Sequence, residues 1–156
     1  MWKVIGQSVT GTSHAARAAA CEDSCCYGSF DEAGDSYCVA CISDGAGSAA
    51  RGGEGAKEAT YYALDFATDN VVQVQKDFKQ FFADLFNAVL EHLKECADRT
   101  NSCLQDYACT LIVAVLANRQ GYFAQIGDGA LIVEIAGQGF ECETWPSNGE
   151  FVNETV

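Results

Sequence analysis

Basic residues are scarce in this chain. Nine Lys and Arg stand against 22 Asp and Glu in 156 residues, a formal charge of −13. A surface so acidic repels phosphate backbones and anionic lipid, which argues against nucleic-acid and membrane partners. It suits cations, although an acidic surface more often only keeps a protein soluble. Proline is nearly missing: Pro146 is the only one, and no repeat, low-complexity tract or linker divides the chain. No apolar run approaches the ~18 residues of a membrane span. Residues 1–7 lack the apolar stretch and cleavage site of an export signal, so a cytoplasmic protein is expected.

Apolar residues make up 49 % and charged residues 20 %, the balance of a globular protein. The length suits one compact domain over 1–156 and is too short for two. Nine cysteines are present, but the odd number and missing export signal argue against a disulfide framework. Cys38 and Cys41 form the only C-x-x-C pair and sit in an apolar strand, where cysteine acts as a small hydrophobe. Structural zinc there is a weak reading.

Residues 2–10 read as a first strand, 11–20 as a loop, 24–30 as a second strand and 31–36 as a turn. Residues 37–43 are apolar on both faces, which predicts a central, buried strand. From about Ala49 the period becomes helical: Ala56, Ala59, Ala63, Phe66 and Ala67 share one face, in a helix ending near Asn70. Gly52, Gly53 and Gly55 weaken its start. Phe78, Phe81, Phe82, Leu85, Phe86, Val89, Leu90 and Leu93 make a broad stripe over residues 75–98. His92 lies beside that stripe and reads as structural or exposed. Strands are expected over 107–117, 121–126, 130–135 and 140–145, with Gly127-Asp128-Gly129 as a hairpin or tight bend. Strands bracketing a helical pair predict an α+β fold, its antiparallel sheets carrying two helices on one face.

The chemistry concentrates at Val39-Ala40-Cys41-Ile42-Ser43-Asp44-Gly45-Ala46-Gly47-Ser48. Here an apolar strand ends in a carboxylate and a glycine, at the mouth of a helix. Hard cations such as Mg²⁺ or Mn²⁺ need carboxylate and carbonyl oxygens of that kind. Glu22-Asp23, before a strand, and Gly127-Asp128, in a bend, are the partners that give the motif weight. Cations shared by such carboxylates bind phosphate and lower the pKa of a water. The competing view is that Asp44 and Asp128 only form turns. A phosphate would also need positive charge. Arg17 and His14 lie close before Glu22, and Arg binds phosphate bidentately. Arg51 competes but sits where local pairing is more natural.

These motifs resemble the metal-dependent serine/threonine protein phosphatases of type 2C, in particular a bacterial branch. The likeness runs through Ser13-His14, Cys21-Glu22-Asp23, Ser43-Asp44-Gly45-Ala46-Gly47-Ser48, Ala108-Cys109-Thr110-Leu111 and Ile126-Gly127-Asp128. It continues through Trp145-Pro146-Ser147-Asn148-Gly149-Glu150 and Asn153-Glu154-Thr155. The resemblance implies a layered α-β-β-α sandwich, two antiparallel sheets flanked by helices. It also implies two or more Mg²⁺ or Mn²⁺ ions and a phosphorylated protein substrate. Asp44 would bridge both metals, with the Gly45 carbonyl on one and Glu22 on the other. Asp23 would act on a coordinated water, and Asp128 would serve a third ion. Arg17 is one residue off the family's phosphate-binding arginine, so His14 shares that expectation. The family carries two further metal-binding aspartates in later motifs, which these 156 residues do not contain. The sequence is therefore expected to lack the last part of the fold. That leaves a second reading: a non-catalytic regulatory module of the same fold.

Overall fold

A computed structural model describes residues 2–16, 20–118 and 120–144, the side chains of residues 13, 14 and 144 excepted. Its elements are α1 (Thr12–Ala16), β1 (Asp23–Glu32), β2 (Asp35–Asp44), α2 (Gly52–Asn70), α3 (Phe78–Arg99), β3 (Leu111–Ala117), β4 (Gln120–Ile126), β5 (Leu131–Ile135) and β6 (Gly139–Thr144). The fold is α+β. One antiparallel sheet runs β1-β2-β3-β4, and β5 and β6 pair as a second.

β1 and β2 form a hairpin closed by Ala33 and Gly34, at φ 52° and 90°. Two consecutive left-handed residues make the tight turn whose twist suits the flanking strands. β2 is central, as its apolar run predicts, and one face is fully covered. Tyr37, Val39, Cys41 and Ser43 are buried, while Ile42 between them stays half exposed. Cys38 and Cys41, three apart on this strand, therefore face opposite sides and share no metal. No disulfide joins any of the nine cysteines.

The covered face lies under α2. Its small residues Ala56, Ala59, Ala63 and Ala67 are buried, and they let the helix come close to the strands. α3 packs on α2 through Phe81, Phe82, Leu85, Val89 and Leu93. Asp77 caps it, accepting from the Gln80 amide at 3.0 Å. Polar stitches tie α2 to β1: the Ser24 and Thr60 hydroxyls meet at 2.7 Å. The Cys26 thiol donates to the Thr60 carbonyl at 3.0 Å.

Three sequence expectations need correction. Residues 2–10 form no strand; the segment crosses the open face of β1 and β2 without joining their ladder. The loop expected over 11–20 contains α1. The strand expected from Tyr107 begins at Leu111, because residues 104–107 close into a 3-10 turn that buries Tyr107. Of the two readings of Gly127-Asp128-Gly129, the tight bend is the one found, since β4 pairs with β3 and β5 with β6. Among the described residues, no helix is long and apolar enough to cross a membrane.

Candidate metal centre

Backbone hydrogen bonds gather the acidic residues at one end of the sheet. Asp23 opens β1 and Asp44 ends β2, directly opposite each other in the ladder. The Gly45 amide donates to the Glu22 carbonyl at 3.1 Å, so Glu22 sits beside the same corner. Thr110 fixes Asp44 from the other side. Its amide donates to the Asp44 carbonyl at 2.8 Å, and its hydroxyl accepts from the Asp44 amide at 2.9 Å. The Ser43 hydroxyl donates to the Thr110 carbonyl. The small-Thr motif thus positions the second acidic motif.

Three glycines bring α2 up to this corner. A Cβ on Gly45 would strike the Gly52 backbone, and one on Gly55 would strike the Tyr107 carbonyl. Gly53 abuts Glu22, whose Cα lies 3.1 Å from where a Cβ would be. Residues that lower helix propensity here are what close approach demands.

Asp128 comes from the bend after β4. Gly127 takes φ 96°, a left-handed value suited to glycine. The Gln125 side-chain amide donates to the Gly127 carbonyl at 2.8 Å and to that of Gly129 at 2.5 Å. This clamp holds the bend, and nothing in the sequence singled out Gln125.

This convergence shapes the electrostatics. The Asp44 carboxyl is pushed up to about 6 from 3.8. Desolvation leads, followed by a hydrogen bond with Asp23 and the charges of Asp23, Asp128 and Glu22. Among the described residues, the charged groups acting on Asp44 are all acids. Carboxylate oxygens that repel one another across such a corner fit a hard divalent cation, which removes the repulsion.

Arg17 lies outside the described residues. His14 falls in α1, and its side chain is outside them too, as are residues 145–155 of the last motifs. Arg51 pairs locally: its guanidinium donates to Glu54 at 2.6 Å and lies 5.9 Å from the Tyr107 ring centre. The sequence reading missed Lys57. It lines a cleft of about 300 Å³ with Asp23, Cys21, Ser24 and Tyr61. The signal was its place one helical turn after Gly53, the residue packed on Glu22. A second cleft, of about 390 Å³, also contains Asp23 and Asp44 and is roofed by residues 4–9.

The protein phosphatase 2C family profile matches residues 10–156. This chain belongs to that family. It is also 27 % identical, over 99 % of its length, to serine/threonine-protein phosphatase 3 of Escherichia coli strain K12. The chain spans 61 % of that relative's length.

Proposed function

We propose that this protein is a metal-dependent phosphatase acting on phosphoserine or phosphothreonine in protein substrates. The observation that carries the reading is the convergence of Asp44, Asp23, Glu22 and Asp128 at one sheet end, where Asp23, Asp128 and Glu22 all act on Asp44. Asp44, Glu22 and the Gly45 carbonyl would hold two Mg²⁺ or Mn²⁺ ions, and Asp128 a further one. Such ions, when bound, supply Lewis acidity that activates water and neutralises phosphate.

The chain's own groups do the rest. Asp23, exposed opposite Asp44, accepts a hydrogen bond from the attacking water and orients it. Lys57, sharing the cleft with Asp23, offers an ammonium to phosphate oxygens, alongside Arg17 or His14. Thr110 keeps Asp44 at its post through the paired bonds described above.

We further propose that the two sheets stack as a sandwich with helices outside, in a single domain over 1–156.

The test is Mn²⁺-dependent hydrolysis of p-nitrophenyl phosphate by the full-length protein and its Asp44→Ala variant. Losing an outer partner of a metal site costs about 10–100-fold, and losing a ligand should cost more. Equal turnover by the two folded proteins removes the role assigned to Asp44.

A further inference from the structure

We infer that Glu58, His92 and Cys96 form a binding site for a zinc-class divalent ion between α2 and α3. None of the strand-end carboxylates takes part in it. Glu58 comes from α2. His92 and Cys96 are four residues apart on α3 and so share one helical face.

The geometry is close to that of a bound tetrahedral ion. Cys96 Sγ lies 3.6 Å from His92 Nε2 and 3.8 Å from Glu58 Oε2. His92 Nε2 and Glu58 Oε2 are 2.8 Å apart. Bonds of about 2.0 Å to oxygen and nitrogen and 2.3 Å to sulfur require ligand spacings of roughly 3.3–3.6 Å. The two spacings to sulfur already lie near that range. The third opens by about half an ångström once the hydrogen bond is exchanged for two metal bonds.

Surrounding groups hold the set in place. Tyr62 stacks on the imidazole with ring centres 4.3 Å apart and planes 15° from parallel, fixing the plane of His92. The Arg99 guanidinium donates to Cys96 Sγ at 2.9 Å. Burial pushes the Cys96 thiol up and the Arg99 hydrogen bond only partly opposes it, so a bound ion would have to displace the thiol proton. Cys96 is buried, whereas the Glu58 side chain is 38 % exposed, so an ion enters from the glutamate side.

The donor chemistry sets the ion class. A thiolate, an imidazole and one carboxylate suit Zn²⁺ or Co²⁺, whereas Mg²⁺ and Mn²⁺ prefer all-oxygen sites. Three protein ligands leave a fourth position for water or an incoming group. An ion here would tie α3 to α2, the helix whose Gly53 abuts Glu22.

The experiment is a titration of the full-length protein with Co²⁺ in excess Mg²⁺, which keeps the strand-end acids occupied. One equivalent should bind, giving a near-ultraviolet thiolate-to-cobalt band and visible bands of tetrahedral coordination, all displaced by Zn²⁺. Cys96→Ser and His92→Gln, shown folded by circular dichroism, should bind at least about tenfold more weakly. Cys96→Ser should also lose the thiolate band. Cys103→Ser, at an exposed thiol, should behave as wild type. Should Cys96→Ser not fold, Glu58→Gln at the exposed edge should keep the thiolate band and weaken binding. A wild type without the band, a folded Cys96→Ser that retains it, or unchanged affinity in Glu58→Gln overturns the site.

Discussion

Two polar clusters border α2. Beside α3, Glu58 faces His92 and Cys96 accepts from Arg99, so acidic groups meet partners that donate to them. At the end of β2, Asp44 faces Asp23, Glu22 and Asp128, all acids. The first arrangement satisfies itself with hydrogen bonds and tolerates a metal. The second stores repulsion that a proton on Asp44 or a bound cation relieves. A fold keeps such a liability where function requires it, because stability and active-site chemistry commonly oppose each other.

The largest effect should come from disturbing the strand end without altering its charge. In Gly45→Ala the new methyl meets the Gly52 carbonyl group and the Gly53 amide, backbone that cannot swing aside. α2 must retreat from β2, at a cost of about 1–3 kcal/mol as for other overpacked sites. Chemical denaturation should show the loss, and Mn²⁺-dependent turnover should fall with it. Retention of the Co²⁺ spectrum in the same variant would show that the two clusters are independent. Full stability in Gly45→Ala would contradict the packing argument.

A smaller effect is expected of Thr110→Val, which keeps the shape of the side chain and removes the acceptor for the Asp44 amide. One hydrogen bond of this kind contributes about 1 kcal/mol. The Mn²⁺ concentration giving half-maximal turnover should rise about 10–100-fold, as when an outer partner of a metal ligand is lost. Urea unfolding and a Mn²⁺ titration measure the two effects. A changed stability with an unchanged Mn²⁺ dependence would make Thr110 structural alone.

Local pattern made much of this legible. The apolar run of β2 and the wide apolar stripe of α3 marked their elements, and Asp44 stood out where that run stopped at Asp-Gly. Elements that depend on distant partners were less readable. Residues 2–10 have strand-like composition, yet pairing is decided by an edge elsewhere in the chain. α1 has five residues, too few for a period to show. The glycines before Lys57 looked like poor helix formers, because their neighbours Glu22 and Tyr107 lie 31 and 52 residues from Gly53 and Gly55. The same distance hid Lys57 and Gln125. His92 read as structural or exposed because its partner Glu58 is 34 residues away, on another helix.

The smallest effect concerns proton linkage in the chelated, metal-free protein. Asp44 holds its proton more tightly folded, at about 6, than its ordinary 3.8. Its contribution to stability is therefore full below pH 3.8 and is lost as pH rises through about 6. Wild type should lose stability over that window relative to Asp44→Asn, which has no charge to crowd. The difference should be modest and should shrink in high salt, because the carboxylate reaches solvent and is screened. Thermal melts of both proteins at pH 5 and pH 8, at low and high salt, measure it. Parallel melting curves at all four conditions would mean that Asp44 feels no acidic neighbours. Mn²⁺ should then abolish the difference in slope where the proton no longer competes, because the cation takes over the neutralising role.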